Sequence, residues 1–115
     1  MNWRSIRLEL GSTGEFPAGS VGRAYLLRLP LDDCDGVDKT AYRANPARAT
    51  VRRYWSTEPD QQGLLIPSGH DWRLCCDDRP KRVLKLNGTP LRLGLQVSMV
   101  EPDGTVLPLK IASVK

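Results

Sequence analysis

The amino-acid sequence predicts a small, mainly β domain folded as an antiparallel barrel or sandwich. The first observation is an alternation near the C-terminus, where every second residue is apolar and is predicted to face the core: Leu91, Leu93, Leu95, Val97 and Met99. The second is that ten Gly and nine Pro are scattered along the chain, which suits short strands and turns rather than long helices. The third is a series of about seven or eight strand-like runs separated by turn signals. The 115 residues are expected to form one domain, residues 1–115.

Alternation and turn residues place the elements of the first half of the chain. Asp38 is a suitable N-cap for a short helix, and Asn45 with Pro46 would end that helix. Pro30 indicates a sheet edge or a strand terminus, because proline cannot donate to a β-ladder. The predicted elements are a strand at 3–10, a Gly/Ser/Thr-rich loop at 11–22, a strand at 23–31, a helix near 39–44 and a strand at 49–55.

The second half is predicted to be β-rich and to end in a long hairpin. The hairpin turn lies at residues 101–105, where proline and glycine suit the two central positions. Placing Glu101 opposite Thr105 pairs Met99 with Leu107, Val97 with Leu109 and Leu95 with Ile111. The predicted elements are a turn at 56–62, a hairpin of residues 64–66 and 72–76, a charged connector at 77–82, a strand at 83–86 and the hairpin at 91–114.

Composition indicates an ordinary globular protein, with 40% hydrophobic and 26% charged residues. The net charge of +4 permits an anionic partner without requiring one. The sequence has no apolar signal-peptide segment and no stretch that would span a bilayer, so no membrane partner is expected. Three cysteines, two of them adjacent, fit reduced thiols better than a disulfide framework, and a cytoplasmic location is expected.

Two groups of residues contain metal-ligating side chains. The segment Asp32–Asp38 holds four carboxylates around Gly36, which suits calcium, although the twelfth-position Glu and flanking helices of an EF-hand are missing. Turn formation and helix capping explain the same residues. His70, Cys75 and Cys76 include zinc ligands, but adjacent cysteines on a strand point to opposite faces. Core cysteine is the simpler interpretation, and we expect no metal and no cofactor.

Enzymatic chemistry has little support in the sequence. His70 is the only histidine, and no nucleophile elbow surrounds Cys75 or Cys76. The chain also has no glycine-rich phosphate loop and no carboxylate pair at a useful spacing. A metal- or thiol-dependent enzyme is therefore the third of three function classes.

A basic and aromatic segment in the middle of the chain carries the leading hypothesis. Arg43, Arg48, Arg52, Arg53, Tyr54 and Trp55 lie close together in the sequence. Guanidinium groups bind phosphates and exposed aromatic rings stack on unpaired bases, so this pattern favours weak binding of single-stranded nucleic acid. The predicted contact surface consists of Arg48, Arg52, Arg53 and Trp55. The chain is thus expected to be a non-enzymatic binding or accessory module.

A protein partner is the second class. A free strand edge near Pro30, the loop at 11–22 and three tryptophans would suit an interaction domain, or a homodimer formed through that edge. The oligomeric state stays open between these interpretations.

Parts of the chain resemble a group of small uncharacterised bacterial single-domain proteins. The residues that carry the resemblance are 25–32, 49–55 with 58–60, and 90–94 continuing through 101–104. The resemblance implies a stand-alone bacterial domain and no particular activity, and it makes Arg52, Arg53, Trp55 and Glu58 the first positions to mutate. Separately, the Leu-x-x-Gly-x-x-Val run followed by Asp-Gly in the last hairpin is similar to SH3-like and OB-like barrels.

Overall fold

The computed structural model describes residues 3–76 and 81–115, which form a closed antiparallel β-barrel. Each strand pairs with the next one along the chain and the last pairs with the first, which is the order of an up-and-down barrel. The strands are β1 (Trp3–Leu10), β2 (Ser20–Pro30), β3 (Thr50–Trp55), β4 (Glu58–Ser68), β5 (Asp71–Cys75), β6 (Arg82–Lys85), β7 (Gln96–Val100) and β8 (Val106–Val114). A helix, α1 (Lys39–Ala44), and a 3-10 turn at Pro46–Arg48 lie between β2 and β3. None of the helices in the described ranges is long and apolar enough to cross a membrane.

The predicted fold class is confirmed, and the barrel is the alternative that the chain adopts. The helix has its predicted bounds, and the Asp38 carboxylate accepts a hydrogen bond from the amide of Ala41 at 3.0 Å. Pro30 is a strand terminus, because β2 ends there. It does not mark a free sheet edge, since β2 pairs with β1 on one side and β3 on the other.

The last hairpin has the predicted register, but its first limb is shorter than predicted. Val97 pairs with Leu109 and Met99 with Leu107. Ile111 donates a backbone hydrogen bond to Leu95, as the third predicted pair requires. Strand β7 nevertheless begins only at Gln96.

The prediction that Leu93 and Leu95 face the core is wrong. Leu93 is 70% exposed and Leu95 is 38% exposed. Gly94 adopts a positive φ of 88°, and a backbone hydrogen bond from Leu95 to Arg92 closes a turn. This turn interrupts the alternation, so the apolar pattern of the sequence does not continue as a strand.

The predicted turn at 56–62 is also wrong, because β4 already begins at Glu58. Trp55 pairs with Glu58, whereas Arg53 pairs with Gln61, so the ladder contains a register shift. Pro59 lies within this irregular part of β4, where a missing amide donor is tolerated. The connection between β3 and β4 is consequently short.

Apolar side chains from every strand fill the barrel interior, and one end of the barrel is closed by α1. The fully buried side chains include Ile6, Leu8, Leu27, Val51, Leu65, Leu84, Met99, Leu109 and Ile111. At the closed end Tyr42 packs edge-on against Trp72 at 4.9 Å and donates its hydroxyl to the Leu65 carbonyl at 3.2 Å. The opposite end, which we call the mouth, lies where β1 connects to β2, β3 to β4 and β7 to β8.

Candidate ligand-binding cavity at the mouth

Two neighbouring strands bring polar and aromatic residues onto the inward face of the barrel at the mouth. Alternation along β2 places Arg23 and Tyr25 on the same face as its buried leucines. Alternation along β3 does the same for Arg53 and Trp55. The strand register sets Arg23 opposite Trp55 and Tyr25 opposite Arg53. The inward face therefore changes from apolar core to a basic and aromatic layer near the mouth.

The side chain of Arg53 is only 4% exposed and contacts three other side chains. Its Nε donates to the Tyr25 hydroxyl at 3.2 Å, and its Nη1 donates to Oε1 of Glu58 at 3.0 Å. Its guanidinium carbon lies 4.2 Å from the centroid of the Trp55 ring. A buried charge requires such partners to offset the loss of hydration. The arrangement fixes the guanidinium in one position before any ligand arrives.

The protonation of this layer follows from its burial and its charges. Burial, reinforced by the Glu101 carboxylate, raises the pKa of Tyr25 to about 12. The phenol is therefore neutral at physiological pH and accepts the hydrogen bond from Arg53. Burial alone would lower the pKa of Arg53, but Tyr25 and Glu58 outweigh it and raise this pKa above its ordinary value. Arg53 is a permanent cation beside a neutral phenol.

Arg23 is the second cation of the layer and is bound differently. Its guanidinium carbon lies 4.3 Å from the centroid of the Phe16 ring, and its Nη1 donates to the Ser20 hydroxyl at 3.3 Å. Within residues 3–76 and 81–115, no carboxylate is within ion-pair distance of this guanidinium. Among the described residues, Arg23 therefore has no ion-pair partner.

The other side of the mouth is built from β6 and the turn between β7 and β8. Arg82 Nε donates to Oε2 of Glu101 in an ion pair of two largely buried side chains. The Asp103 carboxylate accepts a hydrogen bond from the Thr105 amide at 2.9 Å, which lowers the pKa of Asp103. Acidic groups therefore face the basic and aromatic layer across the opening.

These residues surround a cavity of about 630 Å³. The walls of this cavity are formed by strand ends and by the connections at the mouth. They contain apolar, aromatic, basic and acidic side chains. The lining residues are Leu10, Thr13, Glu15, Phe16, Arg23, Arg53, Trp55, Thr57, Arg82, Glu101, Pro102, Asp103, Thr105 and Leu107. A second, smaller cavity of about 210 Å³ lies at the closed end beside Trp72.

The structure does not bring the four predicted contact residues onto one surface. Arg53 and Trp55 line the mouth cavity, and Arg53 also pairs with Glu58. Arg52 is exposed on the outward face of β3, with its guanidinium carbon 5.8 Å from the Tyr54 ring. Arg48 precedes β3 and lies over the Trp3 ring at 4.7 Å.

The candidate metal ligands have structural partners or lie far apart. Asp32 accepts hydrogen bonds from the amides of Cys34 and Gly36, Asp35 pairs with Arg92, and Asp38 caps α1. These contacts favour the turn interpretation. No group of three or more His, Cys, Asp or Glu among the described residues is placed to hold a metal ion.

The histidine and the adjacent cysteines are separated by a strand. His70 lies in the turn before β5, and Cys75 and Cys76 lie at its far end, roughly 16 Å away at the ordinary rise of a β-strand. Neither cysteine therefore lies close to His70. A Cys–His pair for catalysis or zinc binding is not formed by these residues.

Sequence reasoning missed most of the cavity. Arg23, Phe16, Arg82 and Glu101 line it, yet none of them belongs to the predicted contact surface of Arg48, Arg52, Arg53 and Trp55. A signal was present for Arg23, because it has the same alternation phase as the buried residues of β2. An arginine that points to the same side of a strand as the buried residues indicates either the end of the strand or a barrel with a polar interior. Arg82 and Glu101 meet because β6 pairs with β7, with Val83 opposite Val100.

Comparisons with known proteins identify no relative of this chain. No protein-family model, no curated protein and no solved structure matches it. The functional argument therefore rests on the geometry of the mouth.

Proposed function

We propose that this protein is a non-enzymatic binding module that takes a small organic ligand into the mouth cavity. One observation carries the proposal: a cavity of about 630 Å³ whose wall contains the buried, stacked guanidinium of Arg53. Cavities of roughly 300–1,000 Å³ with aromatic walls and a few fixed polar groups are typical ligand sites. The mouth combines these features at one end of a closed barrel.

Preorganisation supports the proposal. Tyr25, Glu58 and Trp55 already hold the Arg53 side chain, so a ligand does not have to immobilise it. Ordering a long side chain on binding costs about 0.5–1.5 kcal/mol. A guanidinium fixed in advance therefore favours affinity for a ligand that contacts it.

The chemistry of the lining supports binding rather than catalysis. The described residues that line the cavity include no histidine and no cysteine. Glu101 is engaged by Arg82, and the lowered pKa of Asp103 makes that carboxylate a weak base.

The proposal is tested with N-phenyl-1-naphthylamine, an uncharged dye whose fluorescence rises in apolar surroundings. The expected result is saturable binding at one site per chain. Trp55→Leu should weaken that binding about fivefold or more, because it removes a ring from the wall. Tyr54→Leu is the matched control, since Tyr54 is the neighbouring residue and does not line the cavity.

Phe16→Leu provides a second variant if Trp55→Leu does not fold, because Phe16 lies in a loop at the same wall. Circular dichroism checks each fold. Absence of saturable binding to the natural sequence overturns the proposal, as does an equal loss in the Tyr54→Leu control.

Weak binding of single-stranded nucleic acid remains a second proposal. It is supported by Arg52, which is exposed beside Tyr54 on the outward face of β3. Titration with mixed RNA and DNA oligomers at two salt concentrations tests it, and Arg52→Gln should reduce binding. No salt-sensitive binding at about 50 µM would count against it. A homodimer through a free strand edge has lost its basis, because each of the eight strands in the described ranges is paired on both sides.

A further inference from the structure

We infer that the ligand of the mouth cavity is a planar organic monoanion and that Arg23 binds its acidic group. This inference rests on the proposed function and specifies its ligand class. It follows from the absence of an ion-pair partner for Arg23 among the described residues, the stacking of its guanidinium on Phe16 and the acidic residues of the cavity wall.

The ion pairs of the cavity arginines point to Arg23 as the anion-binding residue. Three arginines line the cavity, and two of them have carboxylate partners, Arg53 with Glu58 and Arg82 with Glu101. Arg23 has no such partner within the described residues, and the Ser20 hydroxyl uses only one of its five N–H donors. The Arg23 guanidinium therefore has donors available for an ion pair with a ligand anion.

The stacking of Arg23 on Phe16 determines which part of the guanidinium is available to bind an anion. The face of the Arg23 guanidinium is covered by the Phe16 ring at 4.3 Å. The free part of a stacked guanidinium is its edge, which presents paired N–H donors that match the two oxygens of a carboxylate or sulfonate. The register places Arg23 directly opposite Trp55, so a ligand bound at this edge has an aromatic ring beside it.

The carboxylates in the cavity wall, which we call the acidic wall, limit the negative charge that a ligand can carry. Glu15, Glu101 and Asp103 line the same cavity. A second negative group on the ligand would approach these carboxylates and would be repelled within a partly enclosed space. The wall therefore selects one anionic group attached to a neutral, planar body over a polyanion.

The experiment compares three ligands with the same ring system: 2-naphthoate, 2-naphthamide and naphthalene-2,6-dicarboxylate. Calorimetry should give 2-naphthoate at least about tenfold higher affinity than the uncharged amide, the value of one charge-assisted pair. The dicarboxylate should bind more weakly than 2-naphthoate. Arg23→Gln should lower the affinity for 2-naphthoate about tenfold and much more than the affinity for the amide, so that the preference for the anion is lost.

Arg28→Gln is the matched control, because Arg28 lies on the outward face of the same strand and donates to Ser5. It should leave all three affinities unchanged. Equal affinities for naphthoate and naphthamide would overturn the inference while leaving the proposed function intact. Failure of all three ligands together with the neutral dye would overturn both.

Discussion

Replacing Arg53 by Met is the sharpest test of how the mouth is built, with Arg52→Met as its matched control. The two arginines are adjacent in β3 and point to opposite faces of the sheet. Methionine keeps an unbranched apolar side chain close to the length of the aliphatic part of arginine, but it lacks the guanidinium and so removes the charge and every donor. Arg53 points inward and bonds to the side chains of Tyr25 and Glu58, whereas Arg52 points outward. We therefore expect only the replacement of Arg53 to destabilise the fold appreciably.

The size of the effect follows from the three contacts of Arg53. The Tyr25 hydroxyl would lose its partner in a buried position, at a cost of about 1–3 kcal/mol. Loss of the contact with Trp55 removes about 1–2 kcal/mol. The pair with Glu58 contributes at most about 1 kcal/mol, because the Glu58 side chain is 45% exposed.

Removing the buried guanidinium also removes the free-energy cost of its desolvation, and this offsets part of these losses. We therefore expect Arg53→Met to lower the free energy of unfolding by about 2 kcal/mol, and Arg52→Met to change it by at most about 0.5 kcal/mol. Urea unfolding followed by circular dichroism measures both. Equal effects of the two replacements, or a neutral Arg53→Met, would refute the assignment of Arg53 to a built network.

Three further predictions concern the barrel, the phenol and the helix cap. Gly63→Ala should destabilise the fold by about 3 kcal/mol, because its Cβ would lie 2.0 Å from a carbonyl oxygen of the next strand; Gly14→Ala, in open space, should be neutral in the same urea assay. The phenolate absorbance titration should contain a step near pH 12 that Tyr25→Phe removes. Because the folded pKa lies above the unfolded value of 10.0, the contribution of Tyr25 is complete below pH 10 and is lost as the pH rises to 12, by on the order of 2–3 kcal/mol. Asp38→Ala should lower the free energy of unfolding by about 1 kcal/mol in thermal melts, since it removes the cap of α1, whereas Asp38→Asn should retain most of it.

Local patterns in the sequence were sufficient for most of the fold. Alternation located β1, β2 and the last hairpin, and the Asp38 cap located α1, because each signal lies within a few neighbouring residues. The start of β4 was missed because Pro59 has the signature of a turn. Within the barrel the register shift between β3 and β4 accommodates that proline.

The candidate site was predictable only in part. Arg53 and Trp55 were selected for their charge and their aromatic ring, but as members of a surface that also included Arg48 and Arg52. Their inward direction depends on the phase of β3, which consecutive arginines obscure in the sequence. The contact of Arg82 with Glu101 depends on the pairing of β6 with β7, and the irregular connection between these strands hides their register in the sequence.

Binding at the mouth is the central claim, and the indole N–H signals of the three tryptophans test it most directly. Trp55 lines the cavity, whereas Trp72 packs against Tyr42 at the closed end and Trp3 lies under Arg48. Titration of isotope-labelled protein with 2-naphthoate should shift the Trp55 signal saturably and leave the other two unchanged, with Trp55→Phe confirming the assignment. Equal shifts of all three signals, or no shift of the Trp55 signal, would contradict a ligand site in the mouth.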